Sequence, residues 1–254
     1  MPYLIGDGST AKPMTKMLIG NGAGGSVPIQ KIMEGTGSSA VEVYSAAAMP
    51  TVGAALTTIP GTASSTMSAA VPSSGTVGDL ILMVVAHEGT LLTYPSGWAR
   101  HVAQTADNWG RVAVFTKIRA ASEPSVALTF GQAKRHVVRV MSIAGGKSVK
   151  VADQSAGGTG TVTGGPGITT TTPKNLIVSA IGWKSATSSP TLTWSPPYTL
   201  LFKDSGAAVS SSVTTLALAT AAMDEPGTIG ESTITSTLAS TGGKGIATIA
   251  ISPT

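Results

Sequence analysis

The side chains able to do acid–base chemistry are few in this chain of 254 residues. Its ring bases are His87, His101 and His136, and its acids number twelve. His87-Glu88 follows a long apolar run, a place where active sites occur and where ordinary loops also begin. None of the three histidines has the H-E-x-x-H spacing that puts two imidazoles on one metal. No G-x-S-x-G elbow is present to raise a serine nucleophile. The acids show no paired-carboxylate motif of the kind glycoside cleavage requires. Cysteine is absent, which excludes disulfides, thiolate nucleophiles and cysteine-ligated metals. Gly20-Asn21-Gly22-Ala23-Gly24-Gly25 satisfies G-x-G-x-x-G, but Ser26-Val27-Pro28 follows where the mechanism needs a helix N-terminus. Gly146-Lys147-Ser148 has Met141 where a phosphate loop needs its leading glycine. The expectation is a protein that is not an enzyme, with no catalytic, cofactor-binding or metal-ligating residue and no cofactor.

Binding chemistry has more to work with. Trp98, Trp109, Trp183 and Trp194 could stack on a sugar, offering an apolar face with a polar edge. Trp98 ends a turn, Tyr94-Pro95-Ser96-Gly97-Trp98, whereas Trp109 and Trp183, beside Asn108 and Lys184, read as an exposed pair. Net charge is +4, and nine of the sixteen Lys and Arg fall between Arg100 and Lys150. There, Arg111, Lys117 and Arg119 read as one face of an alternating strand whose other face is Val112, Val114, Thr116 and Ile118. Trp98, Trp109, Trp183, Arg111, Lys117 and Arg119 are therefore candidates for contact with a glycan or another anionic surface. Basic runs and rows of aromatics for base stacking are both missing, so nucleic acid is not an expected partner.

The elements that would position these residues are strands. Gly (31), Pro (15), Ser and Thr punctuate β-branched runs, and helix-forming stretches are nearly absent. Leu80-Ile81-Leu82-Met83-Val84-Val85-Ala86 is continuous, as in a strand buried on both faces. It is also far short of the ~20 apolar residues of a membrane helix, and membrane insertion is not expected. No basic region leads an apolar stretch at the N-terminus, so no signal peptide is read there.

Two repeats organise the chain. Leu4-Ile5-Gly6-Asp7-Gly8 returns as Leu18-Ile19-Gly20-Asn21-Gly22 and again as Ile32-Met33-Glu34-Gly35, each an apolar pair running into a turn. Such hairpins bury too little surface to stand alone. Residues 1–50 are thus predicted to be an extended, hairpin-rich docking arm, with Ala46 to Pro50 as a linker. Within residues 51–254, Gly78-Asp79-Leu80 resembles Lys174-Asn175-Leu176, and Pro95-Ser96-Gly97-Trp98 resembles Ser195-Pro196-Pro197-Tyr198. Ala121-Ser122-Glu123-Pro124 likewise resembles Met223-Asp224-Glu225-Pro226. The predicted fold is all-β: a jelly-roll-like antiparallel β-sandwich of two similar halves, at about 72–150 and 168–254, packed as face-to-face half-sheets.

The order of Gly78-Asp79-Leu80 with its apolar strand, then Pro95-Ser96-Gly97-Trp98, then Val114-Phe115-Thr116-Lys117-Ile118 resembles virion proteins of tailed bacteriophages. Residues 29–37 with Val41-Glu42-Val43-Tyr44 resemble docking segments of minor tail proteins from phages of actinobacteria. The resemblance implies a virion structural protein of the tail tip, baseplate or a fibre, made in the host cytoplasm and assembled with other virion proteins. By analogy it implies a homo-oligomer, a trimer, with a host surface glycan as a further contact. Leu4, Ile5, Leu18, Ile19, Ile29, Ile32, Val41 and Tyr44 are the expected docking residues. A carbohydrate-binding module for cell-wall glycan and a capsid decoration protein are the alternatives.

Overall fold

The computed structural model describes residues 3–5, 12–14, 18–20, 26–28, 31–36, 39–45, 47–60, 62–88, 91, 93, 95–103, 111–156, 160–185, 189–206 and 213–253. Among them there is no helix, and the strands pair antiparallel throughout. The chain divides into two compact units, Met1–Ala47 and Ala48–Thr254.

The first unit is three successive hairpins. Strands β1 (Tyr3–Ile5) and β2 (Lys12–Met14) pair, as do β3 (Leu18–Gly20) with β4 (Ser26–Pro28) and β5 (Lys31–Thr36) with β6 (Ser39–Ser45). Leu4 lies opposite Pro13, Ile19 opposite Val27, and Ile32 opposite Tyr44. No ladder joins one hairpin to the next among the described residues. Ile29 lies outside the described residues.

The second unit opens with β7 (Thr51–Thr58), β8 (Ser64–Ala69), β9 (Leu80–His87), β10 (Ala99–Ala103), β11 (Arg111–Ile118), β12 (Val126–Lys134) and β13 (Val137–Ala144). Five of these form a sheet ordered β10-β11-β9-β13-β7, while β8 and β12 make a separate ladder. The chain continues through β14 (Ser148–Ala156), β15 (Gly160–Gly165), β16 (Ile168–Thr170), β17 (Asn175–Ser185) and β18 (Leu192–Trp194). It ends with β19 (Thr199–Ser205), β20 (Val213–Met223), β21 (Gly227–Ile229) and β22 (Ser232–Ser252). Here the sheet order is β19-β20-β17-β22-β14, with β16 paired to β21 and with β15 and β18 on the first half of β22.

The two orders are the same. Substituting β14, β17, β19, β20 and β22 for β7, β9, β10, β11 and β13 converts one sheet into the other, and the β8–β12 ladder into β16–β21. Local chemistry repeats with the topology. Thr76 N–H donates to the Asp79 carboxylate at 2.8 Å, and Asn175 Nδ2 donates to the Thr172 carbonyl at 2.5 Å, so each half enters its central strand through a side-chain-clasped turn. Gly78 (φ +92°) and Lys174 (φ +60°) hold matching left-handed positions.

Period-two alternation then fills three cores. On β9, Leu80, Leu82, Val84 and Ala86 face the other half, meeting Val178, Leu216, Leu218, Ile249 and Ile251. Ile81, Met83 and Val85 face Met67, Leu128 and Phe130 of the β8–β12 ladder. On β17, Ile177, Ile181 and Trp183 pack under Ile168, Leu192, Trp194 and Ile234. Each Val, Leu or Ile so enclosed contributes about 1.5–3 kcal/mol. The all-β antiparallel sandwich is the observed architecture, but each half brings its own covering layer. Two sandwiches therefore stand back to back, rather than two bare half-sheets.

Candidate functional site: a cleft at the end of the first half

The β10–β11 ladder runs from Ala103↔Ala113 to Ala99↔Thr116, so Trp98 and Lys117 are the next residues across from one another. Trp98 reaches that place through a tight turn: its N–H donates to the Pro95 carbonyl at 3.3 Å. Gly97 has φ +77°, the left-handed geometry that the third position of a type II turn requires. The Trp98 side chain packs half-buried against the outer core of this half. Beyond Lys117 the chain loops back, and Glu123 accepts from Ala120 N–H at 2.6 Å and from Lys117 Nζ at 2.7 Å. Trp98, Lys117, Glu123, Pro95, Pro124 and Ser125 line a cleft of about 290 Å³.

The pair is asymmetric: the Glu123 side chain is 3% exposed and Lys117 26%. Burial alone would raise the Glu123 carboxyl. The Ala120 N–H, the Lys117 hydrogen bond and charge, and the Arg119 charge outweigh it and hold the group below its ordinary 4.5. The cleft therefore contains a fixed carboxylate, an ammonium with donors to spare, and one aromatic wall.

The second half builds the same turn and fills it. Tyr198 N–H donates to the Ser195 carbonyl at 3.3 Å, across the cis Pro196-Pro197 bond. Tyr198 is only 6% exposed and belongs to the outer core there. Lys117 sits opposite Ile81, whereas Ala221 sits opposite the matching Ile177. The lysine–glutamate pair belongs to the first half alone.

The remaining candidates are placed elsewhere. Arg111 and Arg119 are buried, so the expected solvated basic face of β11 is not there. The alternation itself is real, since Val112 and Val114 face the inter-half core. The opposite face holds Ala113 and Phe115 under the β8–β12 ladder, which leaves its cations at the strand ends. Arg119 donates to the Pro72 carbonyl at 3.0 Å and ties down that loop. Trp183, expected at the surface, is 0% exposed, with Lys244 Nζ 4.5 Å from its ring centroid. Parity with Ile177 and Ile181 puts it inside. Its neighbour Lys184 points to the other face and meets Glu88 at 3.2 Å. Trp109 lies outside the described residues.

His87-Glu88 is a joint between the halves. Glu88 is buried, accepting from Thr214 Oγ1 at 2.8 Å and facing Lys184, both on second-half strands. His136 stacks on Phe130 at 3.5 Å and donates from Nε2 to the Ser64 carbonyl at 3.1 Å. Its burial outweighs the Ser64 and Gln132 carbonyls and lowers its pKa from 6.5 to about 4, so it stays neutral. Lys147 donates to the Gly78 carbonyl at 2.6 Å, and Gly146 is wedged against Ile251, Ile143 and Leu80. That segment is a packed corner. No three His, Asp or Glu side chains cluster as metal ligands among the described residues. Nor is any helix there long and apolar enough to cross a membrane.

Comparison with protein-family models, curated proteins and solved structures finds no match for this chain.

Sequence reasoning named Trp98 and Lys117 among the candidates for glycan or anionic contact, read Glu123 and Pro124 only as part of the repeat, and missed Ser125. The signal was available in the repeat. Lys117 aligns with Ala221 and Trp98 with Tyr198, so the halves diverge in chemistry at the one end where this cleft opens.

Proposed function

We propose that this chain is a non-enzymatic virion structural protein of a phage tail, in the tip, baseplate or a fibre, which assembles through its N-terminal unit. The observation that carries the reading is the contrast between the two units. Residues 48–254 have three apolar cores of their own, whereas the described residues of 1–47 form three short hairpins with no ladder between them. An isolated two-stranded hairpin is marginal in water, so a series of them gains its order from surfaces supplied by neighbours. Those neighbours are other virion proteins and further copies of this chain, a trimer by analogy with tail appendages. The sequence resemblance at residues 29–44 and 78–118 supplies the virion context. On this reading Leu4, Ile5, Leu18, Ile19, Ile29, Ile32, Val41 and Tyr44 are the docking residues.

Deleting residues 1–45 tests it. The truncated protein is expected to unfold at the same temperature as the full chain's main transition and to be missing from purified particles. Normal incorporation overturns the assembly role. Gold labelling of the intact protein on the head instead of the tail overturns the tail assignment in favour of capsid decoration.

A further inference from the structure

We infer that the Trp98 cleft is a binding site for a neutral saccharide. Independently of any assembly role, the two halves differ at one place. They share strand order, the clasped turns at Thr76–Asp79 and Thr172–Asn175, and the hydrogen-bonded turns closing at Trp98 and Tyr198. Stability is served by the second half's solution, a buried Tyr198 with Ala221 beside it. The first half keeps its tryptophan partly exposed and sets Lys117, where the second half has Ala221, beside the glutamate that both halves carry, at Glu123 and Glu225.

Those charges define the ligand. Lys117 and Glu123 cancel in the cleft wall, and Arg119, whose charge also reaches Glu123, is buried behind it, so no unpaired charge is presented to attract a strong anion or cation. An ammonium has three donors and a carboxylate about four acceptor positions, and the contacts made use one donor and two acceptors. The Glu123 oxygens are nearly covered, so the cleft offers the spare Lys117 donors beside the exposed Ser125 hydroxyl, a set that can both give to and receive from vicinal sugar hydroxyls. Ser125 adds a hydroxyl at the rim, and Trp98 gives the apolar surface that the C–H face of a pyranose covers. A volume of about 290 Å³ is at the small end for ligand sites and suits one or two sugar rings. A proline-rich peptide, the other ligand of aromatic grooves, needs an extended groove and not a short cleft with an ion pair in its wall.

The test uses the full chain and calorimetric titration with cellobiose, N,N′-diacetylchitobiose, 3′-sialyllactose and a proline-rich decapeptide. Saturable binding of a neutral disaccharide is expected, with sialyllactose weaker. Ser125→Trp, which fills the cleft from its exposed rim and removes no core contact, should abolish it. Trp98→Phe should weaken it about tenfold, because the smaller ring covers less of the sugar face. Thermal melts confirm that each variant is folded. The inference is overturned if neither neutral disaccharide saturates at tens of millimolar. It is equally overturned if binding survives Ser125→Trp, or if the decapeptide is the tighter ligand in the same cleft.

Discussion

Replacing Gly182 by alanine probes the contact on which the two halves depend. Gly182 lies on β17, in the middle of the second half's sheet, and faces β11 of the first. A Cβ there would stand 2.7 Å from the Arg111 carbonyl oxygen, 3.1 Å from its carbon and 3.2 Å from Val112 Cγ2. The first distance is about 0.7 Å short of the 3.4 Å at which ordinary contact begins. Neither strand can yield cheaply, because β17 is laddered to β20 and β22, and β11 to β9 and β10. Overpacking of this kind costs about 1–3 kcal/mol, and a gap opened between the sheets forfeits a quarter to a half of nearby dispersion contacts. Set against this, alanine stabilises by restricting the unfolded chain, about 0.4–1 kcal/mol. The net expectation is a loss of about 1–2 kcal/mol in equilibrium urea unfolding, or a drop of about 2–8 °C in Tm. Gly164→Ala is the control: nothing lies within 4 Å of its added methyl, so only the unfolded-state gain remains. If Gly182→Ala unfolds within about 0.5 kcal/mol of the parent, the close approach of the two sheets is refuted.

Two further outcomes follow from buried polar groups. His136 is neutral when folded and binds a proton more readily when unfolded, so its contribution is complete above pH 6.5 and drains away as pH falls toward 4. A loss of about 3 kcal/mol is expected across that window by urea unfolding at each pH. His136→Phe should flatten the profile, and an unchanged slope would refute the assignment. Glu88→Ala removes the carboxylate that faces the Lys184 ammonium and accepts from the Thr214 hydroxyl between the halves, a loss of about 3 kcal/mol. Pairing it with Lys184→Met in a double-mutant cycle should recover much of that loss, and strict additivity would show that the contact carries no coupling.

The sequence disclosed strands and side-chain parity well, but not what covers a given face. Leu80 to Ala86 is apolar at every position because cores lie on both sides, and its unbroken run says so. Arg111, Ala113, Phe115 and Lys117 are another matter. Their parity is correct, yet cations at both ends of the row suggest solvent, while the middle residues lie beneath a ladder formed by β8 and β12. That ladder pairs residues about sixty apart, and no local pattern reports it. Trp183 misleads for the same reason, since Lys184 beside it satisfies its charge on the first half and not in water. Glu123 escaped notice because it reaches Lys117 around a loop rather than along a strand, where spacing has no periodic meaning.

β22 is a single strand of 21 residues that serves two layers. Its first part carries β15 and β18, and its last part runs between β14 and β17. On a ribosome, then, the first half can finish while every sheet partner of β22 still waits for it. At 5–20 residues per second, the cover over the greasy row Leu80, Leu82, Val84 and Val114 stays incomplete for on the order of 5–20 s, until roughly a hundred more residues bring Ile249 and Ile251. That interval is when nascent neighbours on one message could stick together, and a slow codon stretch before residue 232 would lengthen it.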